Sequence, residues 1–136
     1  MKKVVILMCA LLCSLASFSQ PKFENWPEMR TFRNILSETF HPAEEGDMTP
    51  IKTRSHELFA NAKLVNVSPI PEANDNEEMR AYLKRLQKET DKLNAIIVRQ
   101  EQSSTIMKQF AQVHDTFHEI AGMYKETGKK HSRRGE

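Results

Sequence analysis

Met79, Leu83, Leu86, Thr90, Leu93 and Ile97 step by 4-3-4-3-4. That spacing puts side chains on one stripe of an α-helix, and a strand, with its period of two, cannot use it. The same rhythm returns at Ile106, Phe110, Val113, Phe117, Ile120 and Tyr124. A helix with one apolar stripe must bury that stripe against another element. Nothing else in the chain constrains its fold as strongly.

Two further helices are legible upstream. Asn25-Trp26-Pro27-Glu28 opens the first, with Asn as cap, Pro in the first turn and Glu at the positive end of the helix dipole. Met29, Phe32, Leu36 and Phe40 follow at helical spacing, and His41-Pro42 is expected to end or bend the helix, because the residue before proline avoids the α region. A turn-rich linker reaches Pro50. The second helix is expected from about Thr49 to Asn66, with Thr49 as cap and Pro50 in the first position. Its apolar face is Ile51, Leu58, Phe59, Ala62 and Val65, and Ser68-Pro69-Ile70-Pro71 stops it. Asn74-Asp75-Asn76 starts the third helix. The step from Ile97 to Ile106 fits neither phase of the seam, and the residues from Arg99 to Ser104 are polar. A turn is expected there with Ser103 or Ser104 as cap; one bent, continuous helix is the alternative. No segment alternates with period two. The fold class is therefore all-α, an antiparallel up-down-up-down four-helix bundle.

The ends read differently from the middle. Lys2 and Lys3 precede a 12-residue apolar run, Val4 to Leu15, too short to span a bilayer comfortably. Ser17-Phe18-Ser19 places small residues where a signal peptidase reads them, so residues 1–19 are expected to be a secretory signal cleaved before Gln20. Cys9 and Cys13 follow Met8 and Leu12, not the small residue a lipidation motif needs. Both cysteines leave with the signal. The remaining chain relies on its hydrophobic core, without disulfides, in an oxidising compartment, periplasmic or secreted. Losing Lys2 and Lys3 leaves 18 basic residues against 18 acidic ones. That balance gives no general case for nucleic-acid binding, and no membrane insertion is expected after cleavage. Residues 20–126 form the bundle, and 127–136 a basic, solvated tail. Homodimerisation is left open.

Chemistry concentrates on the last helix. His114 and His118 are four residues apart, so both imidazoles share one helix face and can grip one metal ion. Antiparallel pairing with equal rise per residue puts His41 near the level of His114 and brings Glu38 and Glu45 within a turn of it. His56 falls closer to His118, and His131 lies in the tail. The expected ligand set is His41, Glu45, His114 and His118, holding a divalent transition metal, zinc or copper first. Asp115 is a candidate to orient an imidazole. Glu44-Glu45 and Glu77-Glu78 otherwise read as helix-terminal charge, and Trp26 and Phe40 as bundle-end packing. There is no glycine-rich phosphate loop, and no cysteine nucleophile survives cleavage, so no enzyme is expected. A ligand-free helical interaction module is the blander alternative.

Three stretches carry a resemblance. Glu38-Thr39-Phe40 closes helix one, Met48-Thr49-Pro50-Ile51-Lys52 opens helix two, and Phe110-Ala111-Gln112-Val113-His114-Asp115-Thr116-Phe117-His118 sits in helix four. Together they resemble the four-helix cytochromes of the cytochrome c prime type and their b-type relatives. In that family the last stretch reads Cys-x-x-Cys-His-Asp. Phe110 and Val113 stand where the haem-linking cysteines would be, which rules out covalent attachment. The resemblance implies His114 as axial ligand of a non-covalent haem b, with an electron-transfer role. Its b-type members take a helix-one methionine as sixth ligand. Met29 lies nearer the helix start than that position, and Phe32 or Arg33 occupies the level instead. His41 and His118 are outside the haem pattern. The chain is also similar to exported bundle proteins of Bacteroidetes-type bacteria that share Phe-His-Pro-Ala-Glu-Glu-Gly and His-Asp-x-Phe-His, a likeness that implies no activity.

Overall fold

The computed structural model describes residues 23–126. The expected signal peptide with Cys9 and Cys13, the cleavage point before Gln20, and the tail with His131 lie outside them. Among the described residues are four α-helices and no strand: α1 Pro27–Glu44, α2 Thr49–Val67, α3 Glu77–Val98 and α4 Ser103–Met123, with one 3-10 turn at Glu72–Asn74. Consecutive helices pack on each other, and α1 also meets α4, less extensively. No described helix is long and apolar enough to cross a membrane.

The stripes lie inside as their spacing requires. Met79, Leu83, Leu86, Thr90 and Leu93 of α3 are buried, as are Ile106, Phe110, Val113, Phe117, Ile120 and Tyr124 at the other seam. At the end of α3 the buried residue is Ile96, while Ile97 packs partly buried beside it. α3 is flanked by both α2 and α4, so its buried arc is wider than one stripe. In α2, Phe59 is only partly buried, and its ring carries the Lys63 ammonium 5.6 Å from its centroid. Ser55 takes the inner position instead, its hydroxyl 2.9 Å from Asn94 Oδ1.

Helix ends shift the expected boundaries by a residue or more. Asn76 does cap α3, its side chain accepting from the Met79 N–H at 2.9 Å. The other expected caps do not form: Trp26, Met48 and Gln102 hold the cap positions of α1, α2 and α4 without a side-chain bond. Trp26 is fully buried, so packing fixes where α1 begins. His41-Pro42 does not end α1, which runs on to Glu44 because Phe40 and Ala43 are both buried and hold the last turn in register. The helix closes at Gly46, whose φ of +95° suits a residue without Cβ; Asp47 N–H then reaches back to the Pro42 carbonyl at 2.9 Å. α3 and α4 are separate helices, not one bent helix. Between them Gln100 takes a φ of +57° and the Glu101 N–H bonds the Ile96 carbonyl.

Two polar contacts tie down the far end. The buried Asn74 side chain donates to the Lys125 carbonyl at 3.0 Å and accepts from the Lys125 N–H at 2.7 Å. Phe23, Trp26 and Tyr124 form an aromatic cluster nearby, with Phe23 reaching Phe117.

Candidate functional site

α1 and α4 meet less closely than consecutive helices do, and a cleft lies between them. α1 lines it with Arg33, Leu36, Ser37, Phe40 and His41, and α4 with His114, Phe117 and His118. Each set repeats at three and four residues, so each is one face of one helix. The cavity is about 190 Å³.

The two helix-four histidines are in direct contact. Their Nε2 atoms are 3.0 Å apart and the rings stand edge to face, 4.3 Å between centroids. At that distance one ring donates its N–H to the other. Phe40 lies flat on His114, with centroids 3.9 Å apart and planes within 10°. Phe110 buttresses Phe40 from behind at 4.9 Å, edge to face. His114 is therefore held in one orientation by a buried ring that is itself held. Phe40 does pack into the bundle, as its place in the apolar pattern requires, and its other role is as the platform for an imidazole.

Burial, first, and the neighbouring His118, second, hold the His114 imidazole below the usual histidine range; Glu44 and Asp115 act the other way, and His41 acts with His118. At neutral pH His114 is thus uncharged, the form that can accept a metal ion.

The expected ligands are brought together in part. His41, His114 and His118 line one cleft. His41 is exposed, and its Nδ1 is 3.4 Å from Glu44 Oε2. Glu45 is exposed on the residue after α1 and does not line the cleft. Glu38 points to α2, where its carboxylate meets the Arg54 guanidinium at 2.7 Å. His56 is exposed on α2, away from the cleft. Asp115 Oδ1 is 4.0 Å from His114 Nδ1, beyond hydrogen-bond length, because adjacent helical residues point about 100° apart. Among the described residues no three His, Cys, Asp or Glu side chains stand close enough to enclose a metal ion as they are placed.

Three features of the site were not singled out in the sequence. Glu44, not Glu45, is the carboxylate beside His41. Phe40 stacks on the imidazole. Arg33 reaches the cleft; its offset of seven from Phe40 was the available signal, since seven residues return to within about 20° of the same helix face.

No family model, no curated protein and no solved structure matches this chain.

Proposed function

We propose that the chain binds a divalent transition metal at the α1/α4 cleft, zinc or copper first, through His114 and His118. The observation that carries this reading is the 3.0 Å separation of the two Nε2 atoms. Two imidazole nitrogens on one tetrahedral ion, each about 2.0–2.1 Å from it, stand about 3.3 Å apart. The pair is within a few tenths of an ångström of that bite, and the stacked Phe40 ring fixes one member of it. His41 supplies a third nitrogen by rotating its exposed side chain, exchanging its long contact with Glu44 for the metal. Glu44 then orients His41 or takes the ligand place first expected of Glu45. A site of one fixed ligand, its exposed neighbour and one recruited ligand keeps positions open. It suits capture, buffering or sensing more than permanent structural binding.

The bundle is proposed to run up-down-up-down, which is what sets helix one beside helix four. Its support is the order of ring contacts: Phe23 with Tyr124, Phe32 with Phe117, and Phe40 with Phe110 and His114. Partners in α4 come earlier in the chain as those in α1 come later. We place the protein outside the inner membrane, periplasmic or secreted, on the strength of its N-terminal signal pattern, and assign it binding and not catalysis.

Haem draws less support. The face of His114 is covered by Phe40. The cavity of about 190 Å³ is below even the ~300 Å³ of small organic-ligand pockets. Met29 is fully buried and does not line the cleft. The residues around His114 do not fit a flat macrocycle.

The test is isothermal titration of zinc and copper into untagged protein in which His131 is replaced. His114→Ala and His118→Ala should each abolish most of the binding, and the double variant should bind little worse than the weaker single, because ligands of one ion act as a unit. Unchanged titration curves for both single variants would leave the cleft as packing.

A further inference from the structure

The cleft carries a charge that a bare cation site would not choose. Arg33 lines it together with the three histidines, and no aspartate or glutamate does. Among the described residues the Arg33 side chain makes no ion pair or hydrogen bond, although Arg30, Arg54, Arg80, Arg85 and Arg99 all do. The Ser37 hydroxyl, one turn further along α1, also lines the cleft and has no partner among the described residues. The rest of the wall is Leu36, Phe40 and Phe117. A guanidinium left unpaired beside a partly apolar wall offers a planar fork of N–H donors. A metal ion on His114 and His118 would add a second positive charge to the same small space and still have open positions.

We propose that the site takes its metal together with a small oxyanion, one oxygen on the metal and the others on the Arg33 guanidinium, with Ser37 as a further donor. This rests on the metal reading above. An oxyanion satisfies three needs at once: it fills an open coordination position, screens the metal from Arg33, and pairs the unpartnered fork bidentately. The volume sets its size. The cleft is small, about 190 Å³, and suits a phosphate or a small carboxylate. Carboxylate and phosphate share the recognising chemistry, and the two arms of the test separate them.

The probe is cobalt(II), whose visible spectrum reports its coordination. Wild-type protein is loaded with cobalt in perchlorate at constant ionic strength. Inorganic phosphate is then titrated into one sample and acetate into another. The spectrum should change with saturation in at least one arm, and the arm that responds identifies the oxyanion. Arg33→Gln should bind cobalt at least as well as wild type, since a neighbouring positive charge is gone, yet lose anion affinity by at least about tenfold. Arg33→Lys, which keeps the charge and loses the fork, should fall between the two. Circular dichroism checks that both variants fold, which the partial exposure of Arg33 favours. Cobalt that binds but gives no response to either anion, or the same response in Arg33→Gln, overturns this proposal and leaves the metal site standing. Failure of wild type to bind cobalt overturns the metal reading and this inference with it.

Discussion

Zinc should raise the melting temperature of the wild type, and removing either helix-four histidine should erase that rise. A ligand that binds only the folded state, present at a hundred times its Kd, stabilises by about 2.7 kcal/mol. The unfolding entropy is about 2.1 cal/mol/K per residue, or roughly 0.2 kcal/mol/K over the hundred or so described residues. The expected shift is therefore about 12 °C. The two histidines should differ in the absence of metal. His118 is exposed, so His118→Ala should stay within about 0.5 kcal/mol, a change of roughly 2–3 °C. His114 is partly buried and stacked on Phe40, so His114→Ala should cost about 1 kcal/mol, or roughly 5 °C, before any zinc is added. With zinc, both variants and the double variant should show almost no shift. The measurement is differential scanning calorimetry on untagged protein carrying a replacement at His131, with a chelator control. If His118→Ala keeps more than half of the wild-type shift, the 3.0 Å contact is only a hydrogen bond between imidazoles, and the reasoning fails.

Leu86 is buried on the α3 stripe, so Leu86→Ala should cost about 2–5 kcal/mol in urea unfolding; a loss below about 0.5 kcal/mol would mean that the stripe faces elsewhere. Asn74→Ala should cost about 1–3 kcal/mol, because it strips both hydrogen bonds from the Lys125 backbone, and hydrogen exchange at the Lys125 amide should quicken. For pH, the sign follows from His114 being held below the usual histidine range. The unfolded chain takes up its proton first, so this contribution is intact above about pH 6.5 and is lost as pH falls from there to the lowered folded value. The charged groups around it are His118 and Asp115 on α4 and Arg33, His41 and Glu44 on α1. Between pH 7.5 and 5 the wild type should therefore lose more stability than His114→Gln, and parallel losses would show that burial of this imidazole is not what moves it.

The sequence by itself determined the elements. Stripes at three and four residues force helices, and their number follows from the two proline-bearing breaks and the polar stretch after Ile97. It also determined that His114 and His118 share a face, because spacing along one helix is local geometry. Only the tertiary structure decided the rest. His41-Pro42 was expected to end or bend α1; burial of Phe40 and Ala43 outweighs the local preference for ending it and carries the helix to Glu44. That extra turn is what puts Glu44 beside His41 and leaves Glu45 outside the cleft. Phe40 reads as core in any pattern analysis, and so it is; that its ring also lies flat on His114 depends on how two helices cross. Arg33 was placed only at the level of the resemblance's sixth ligand, and that it lines the cleft depends on the same crossing. Period identifies the face of a helix, but which charges two faces bring to one cleft depends on the depth and rotation with which they pack, and no residue spacing encodes that.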